Sequence, residues 1–124
     1  MAFQVDINGN ITLIQGDSGE LCISGLPTDK NYTAFFAIQN ADRKAIGEEI
    51  SVSTNGKSSV IFALNGGLTD LLTVKKNDDT AEYYYGIKIC DESGELEDTL
   101  LLGDSQMGDV NTITVYPKKV EGTV

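Results

Sequence analysis

The chain has 124 residues, 40% of them hydrophobic and 23% charged, a balance that suits one globular domain and excludes a disordered chain. Its net charge of −10 argues against direct nucleic-acid binding, which needs clustered lysine and arginine. No apolar run is long enough for a membrane span, and the N-terminus lacks the basic and apolar regions of a signal peptide.

Apolar and polar residues alternate along most of the chain, which predicts β-strands separated by turns. Asn-Gly pairs at residues 8–9 and 55–56 indicate two hairpin turns. The regular recurrence of short strands predicts an all-β fold, an antiparallel β-sandwich of immunoglobulin-like or jelly-roll-like type with about eight strands. In chain order, the predicted strands lie at residues 3–7, 11–15, 20–24, 32–40, 45–53, 58–64, 81–91, 96–102 and 111–117.

One segment departs from the alternating pattern. Leu68, Leu71 and Leu72 stand at positions i, i+3 and i+4, a spacing that predicts one short helix near residues 67–74. Because the strands continue on both sides of this helix, we expect a single sandwich domain over residues 1–117. Residues 118–124 are then expected to form a C-terminal arm or linker.

The triplet Gly-Asp-Ser occurs at residues 16–18 and again at 103–105, and in one family of serine hydrolases it carries the nucleophile. A serine nucleophile usually needs a histidine base, and the chain contains no histidine. A Ser-Lys dyad stays formally open, but turn chemistry explains both triplets more simply. Gly16, Asp17, Gly103 and Asp104 are therefore expected to serve turn geometry, and no catalytic residue and no enzymatic activity are expected.

The residues that commonly bind metals or form disulfides show no matching pattern. Cys22 and Cys90 lie in apolar stretches and are expected to be small buried residues, and a disulfide between them would require neighbouring strands. Two cysteines without histidine cannot form a structural zinc site, and the acidic clusters fail the spacing of a calcium loop. Neither a metal nor a cofactor is expected.

The tyrosine-rich stretch at residues 81–91 is the strongest candidate for a contact surface. Alternation places Tyr83 and Tyr85 on one face of this strand and Tyr84 and Lys88 on the other. Exposed tyrosine is enriched at protein interfaces. Tyr84 and Lys88 are therefore the predicted interface residues.

Several longer motifs support a resemblance to a known group of proteins. These are ITLIQGDSGELCISGL, YTAFFAIQNADRKAI, and YYYGIKICDESGELEDTLL followed by NTITVYPKKVEG. They resemble small β-sandwich modules of tailed-bacteriophage virion proteins, such as the N-terminal domains of baseplate upper proteins and related head-fibre or capsid-decoration modules. The resemblance implies a non-enzymatic structural protein, made in the host cytoplasm and located in the virion, that forms homo-oligomers and contacts other virion proteins.

Two further functions stay open at this stage. An acidic domain can occupy a basic channel, so the chain could inhibit a host nucleic-acid-binding defence enzyme. A β-sandwich can also serve as a carbohydrate-binding module, although the absence of tryptophan weakens this alternative.

Overall fold

Nearly every segment with alternating hydrophobicity forms a β-strand. The computed structural model describes residues 2–93, 97–100 and 111–120. Each predicted strand has a counterpart in it, with small differences at the ends. The elements are β1 (Gln4–Val5), β2 (Ile11–Ile14), β3 (Gly19–Ile23), β4 (Tyr32–Gln39), β5 (Ala45–Ser53), β6 (Val60–Leu64), α1 (Gly66–Thr69), β7 (Ala81–Asp91), β8 (Glu97–Leu100) and β9 (Asn111–Tyr116).

The strands form two sheets that pack against each other. The larger sheet has the order β1-β2-β9-β7-β4-β5, and β8 pairs with β7 beyond the end of β9, while β3 and β6 form the smaller sheet. The prediction of an all-β sandwich is confirmed. One pair departs from the antiparallel pattern, because β2 and β9 run parallel from the Ile11–Ile113 pair to the Ile14–Tyr116 pair.

The core lies between the two sheets and is built by the inward face of each strand. On β7 this face carries Tyr83, Tyr85, Ile87 and Ile89, which are all buried, as the alternation predicted. The Phe36 ring of β4 joins the sheets, since its centroid lies 5.5 Å from that of Phe62 on β6 and 5.1 Å from that of Tyr85. Such tilted aromatic contacts add to the free energy gained by burying apolar area.

The helix is shorter than the leucine spacing predicted. Asn65 caps α1 by accepting a hydrogen bond from the Leu68 N–H at 2.8 Å, and the helix ends at Thr69. The N–H groups of Leu71 and Leu72 then bond three residues back, which tightens the chain into turns instead of a second helical turn. Leu72 still reaches the core, whereas Leu71 is exposed.

The first Gly-Asp-Ser triplet lies in a turn between β2 and β3, as predicted. Gly16 has a φ of +87°, and the Asp17 N–H donates to the Ile14 carbonyl at 3.0 Å. The Thr69 hydroxyl donates to the Asp17 carbonyl at 2.8 Å, and a Cβ at Gly66 would come within 2.7 Å of the Gly16 carbonyl oxygen. The turn therefore packs directly on α1. The second triplet, with Gly103 and Asp104, lies outside the described residues.

The expectation for the cysteines is wrong. Cys22 is exposed and Cys90 only partly buried, and both are free thiols. The physical reason is the alternation itself, because Leu21 and Ile23 take the inward positions of β3 and Cys22 must then point outward. The two cysteines lie on different sheets, so neighbouring strands do not bring them together.

The C-terminal segment begins with a contact to the helix. The Lys118 ammonium forms an ion pair with the Asp70 carboxylate at the end of α1. This places the first residue of the predicted arm against the domain. That residues 118–124 form an arm stays a prediction, since residues 121–124 lie outside the described part of the chain.

A buried hydroxyl fixes the connection from α1 to β7. The Tyr83 hydroxyl donates to the Thr73 carbonyl at 2.6 Å, ten residues upstream, in the manner of the tyrosine corner of immunoglobulin-like sandwiches. We expect Tyr83→Phe to lower the free energy of unfolding by about 1 kcal/mol, because the partly buried hydrogen bond to the Thr73 carbonyl is lost. Urea denaturation measures this loss.

The exposed Tyr116 provides the matched control for this measurement. Tyr116→Phe removes a hydroxyl at the surface and is expected to change stability by less than about 0.5 kcal/mol. Equal effects of the two substitutions would contradict the role given to Tyr83.

The Asp91 carboxyl at the end of β7 is expected to make the stability of the fold depend on pH. Hydrogen bonds from the Ser93 hydroxyl and N–H, with Lys30 nearby, hold the pKa of the buried Asp91 carboxyl below its usual value. A lowered folded-state pKa stabilises the fold above the unfolded-state pKa of about 3.9, and this contribution is lost as pH falls through the folded-state value. We expect stability to drop below about pH 4.

Thermal unfolding between pH 2 and pH 7 tests this expectation. Asp91→Asn is expected to be less stable than the wild type at pH 7 and to lose less stability on acidification. If Asp91→Asn lost as much stability on acidification as the wild type does, other carboxylates would cause the pH dependence.

Candidate functional site

A groove lies on the outward face of the larger sheet, on the side away from the core. Its volume is about 550 Å³, within the range of pockets that bind ligands. We call it the outward groove. It is lined by Phe35, Ala37, Gln39, Glu49, Tyr84, Tyr85, Gly86, Ile87, Lys88, Cys90, Glu97, Thr99, Leu100 and Asn111.

Both predicted interface residues line this groove. Tyr84 and Lys88 point outward because they alternate along β7 with the buried Tyr83, Tyr85 and Ile87. They stand four positions apart, which separates them by about 13 Å along β7. Tyr84 is half-buried and the Lys88 side chain is 45% exposed. The structure thus brings the two residues to one surface, and their contact with a partner stays a prediction.

The floor between them is made of very small residues. Gly86 lies midway between Tyr84 and Lys88, and its register partner on β4 is Ala37. Phe35 pairs with Lys88 at one end of this floor. The groove is therefore a shallow depression between larger side chains.

Sequence reasoning missed Phe35, Ala37 and Gly86. A signal for the first two was present, because the stretch YTAFFAIQN is apolar at almost every position. Alternation assigns Phe36 to the core, so Phe35 and Ala37 must form an apolar outward face on a central strand. An apolar outward face is more informative about function than an apolar core.

Among the described residues, one ion pair lies in the lining of the groove. The Lys88 ammonium lies 3.1 Å from the Glu97 carboxylate on β8. This hydrogen bond raises the pKa of Lys88 and lowers that of Glu97, so both groups are charged near neutral pH. Because the pair is exposed to water, it orients the two side chains more than it stabilises the fold.

Two further groups of the groove, the Cys90 thiol and the Tyr84 hydroxyl, are neutral near pH 7. Burial and a bond to the Glu97 carboxylate, at 3.6 Å from the Cys90 sulfur, raise the pKa of the Cys90 thiol. A hydrogen bond to Glu82 raises the pKa of the Tyr84 hydroxyl. A protonated thiol is a poor nucleophile, so these groups are suited to contact and hydrogen bonding.

Within residues 2–93, 97–100 and 111–120, no group of three or more His, Cys, Asp or Glu side chains is arranged to hold a metal ion. In the same part of the chain, no helix has the length and apolar character needed to cross a bilayer.

Comparison with known proteins finds similarity at the level of fold. No family model and no curated protein sequence matches the chain. Among solved structures, the periplasmic chaperone SfaE is similar with a TM-score of 0.54 and 11% sequence identity. The match covers 86% of this chain and 52% of the chaperone chain, so the present chain spans about half its length. At this identity the similarity shows a shared fold.

This comparison corrects the expected function. SfaE, a solved structure that shares the fold, is a periplasmic chaperone and not a component of a phage particle, and the expectation of a virion structural module is wrong. The motifs behind that expectation were alternating strands and Gly-Asp turns, which any sandwich can share, so they indicate the fold and not its use. The resemblance to phage modules, the virion location and the homo-oligomer stay untested predictions.

Proposed function

We propose that this chain is a non-catalytic protein-binding module of chaperone type. It binds an extended segment of another polypeptide in the outward groove. The observation that carries the proposal is the apolar strip of Phe35, Ala37 and Tyr84 on the outward face of two central strands.

The composition of the groove supports a polypeptide as its occupant. Aromatic rings supply contact area, while the Tyr84 hydroxyl, Gln39 and Thr99 can exchange hydrogen bonds with a backbone. A shallow groove open along the sheet suits an extended chain better than a compact small molecule. A volume of about 550 Å³ accommodates only a few side chains, so we expect recognition of a short segment.

The fold similarity to a periplasmic chaperone supports the same proposal independently of the groove. A rigid sandwich offers a preformed surface that is not reorganised on binding. Such a surface can cover an apolar segment of an incompletely folded protein and thereby suppress its aggregation.

Peptide binding tests the proposal directly. The probe is a fluorescein-labelled peptide, Lys-Ser-Val-Ser-Leu-Ser-Val-Ser-Lys, in which apolar side chains alternate, and fluorescence anisotropy measures its affinity. We expect saturable binding, and Tyr84→Ala should weaken it about tenfold, because half-buried aromatic residues dominate such contacts.

Tyr116→Ala is the matched control, since Tyr116 also points outward but does not line the groove. It should bind as the wild type does. Light scattering from chemically unfolded citrate synthase provides the second readout, and the wild type should reduce it more than Tyr84→Ala does. Failure of the wild type in both assays would overturn the proposed function.

A further inference from the structure

Gly86 occupies an unusual place in the fold. It lies in the middle of β7, an 11-residue central strand that pairs with β4 on one side and with β8 and β9 on the other. Glycine weakens the interior of a strand, because it adds backbone entropy to the unfolded chain and contributes no side chain to packing. Its presence there calls for a specific reason.

The backbone of Gly86 does not supply that reason. Five other glycines in the described part of the chain have positive φ values, which other residues rarely adopt, and Gly86 is not one of them. Those five are Gly9, Gly16, Gly25, Gly47 and Gly56.

Packing within the domain does not require glycine at this position either. A Cβ added at Gly86 would meet no atom of the described residues within 4 Å. By contrast, a Cβ at Gly19 would fall 2.1 Å from the Phe3 ring, and one at Gly66 would fall 2.7 Å from a backbone oxygen. Of these three glycines, Gly86 is the one whose side-chain position the described residues leave open, and it lines the groove.

We propose that the hollow at Gly86 accepts one aliphatic side chain of the extended segment that the groove binds, and that a lysine or arginine of that segment lies against Glu49. This inference rests on the proposed function and names the chemistry of the partner. Glycine within a strand often marks a place where another chain approaches closely, which agrees with this role.

The walls of the hollow define the size of the side chain. Ala37 faces Gly86 across the β4–β7 pair, while Tyr84 and Lys88 bound the hollow along the strand. Phe35 contributes an apolar surface beside Lys88. An aliphatic side chain of the size of valine or leucine would contact these residues without displacing them.

The charges around the groove indicate a basic partner. Glu49 and Glu97 both line it, and Lys88, the one lysine among the described lining residues, is paired with Glu97 at 3.1 Å. A lysine or arginine beside Glu49 would complement the remaining negative charge. A second copy of the chain is a poorer occupant, since each copy carries a net charge of −10.

Filling the hollow tests the inference. Gly86→Val places an aliphatic side chain in the open space, and β-branched residues suit strands, so the variant should fold at least as stably as the wild type. We expect it to bind the lysine-flanked peptide at least about tenfold more weakly, and Gly86→Ala to show a smaller loss of about two- to threefold. Thr12→Val, on the outward side of β2 and outside the groove, is the control and should bind normally.

Two further probes test the chemistry of the segment. A peptide with serine in place of valine and leucine should lose binding, and one with glutamate in place of both lysines should bind weakly. Glu49→Lys should reverse the preference between the lysine-flanked and glutamate-flanked peptides.

The outcomes separate the two proposals. Wild-type affinity in a folded Gly86→Val variant would overturn the inference and leave the proposed function intact. A wild-type protein that binds no peptide and does not suppress aggregation would overturn both. Concentration-dependent dimer formation that Gly86→Val abolishes, measured by light scattering on a sizing column, would identify a second copy as the occupant and overturn the inferred partner.

Discussion

The contact of Phe36 with Phe62 and Tyr85 sets the arrangement of the whole sandwich. It joins the smaller sheet to the two central strands of the larger one and fixes which face of β4 and β7 points to the core. Because side chains alternate along a strand, a shift of one residue would turn every inward side chain outward. Burial of these rings therefore also determines that Phe35, Ala37, Tyr84, Gly86 and Lys88 form the outer surface.

The outer surface combines contact area with little reactive chemistry. The ion pair of Lys88 with Glu97 is exposed. The Cys90 thiol is held protonated by burial, and the Tyr84 hydroxyl is held protonated by its hydrogen bond to Glu82. Such groups favour binding through shape and complementary charge. The outward position of Cys90 illustrates how the environment, and not the residue type, decides reactivity.

The resemblance to phage modules shows that turn motifs predict local structure but not function. Gly16 and Asp17 form the predicted turn, since glycine is the residue that adopts a φ of +87° at little cost. The same short pattern recurs wherever two strands need a tight connection, so it identifies a sandwich without specifying its role. A function has to be argued from a site, and here the candidate site is a groove whose described lining residues come from five strands.

Local patterns in the sequence determined the strands, their inward and outward faces, and hence the positions of Tyr84 and Lys88, because alternation is a property of neighbouring residues. They did not determine the parallel pairing of β2 with β9, which joins residues about 100 positions apart. They also did not place Ala37 opposite Gly86 or Glu97 beside Lys88, since these contacts depend on which strands become neighbours. Only the tertiary structure decided that the apolar strip, the hollow at Gly86 and the acidic residues Glu49 and Glu97 meet on one face. The reason is that the order of the strands is set by packing of the whole core.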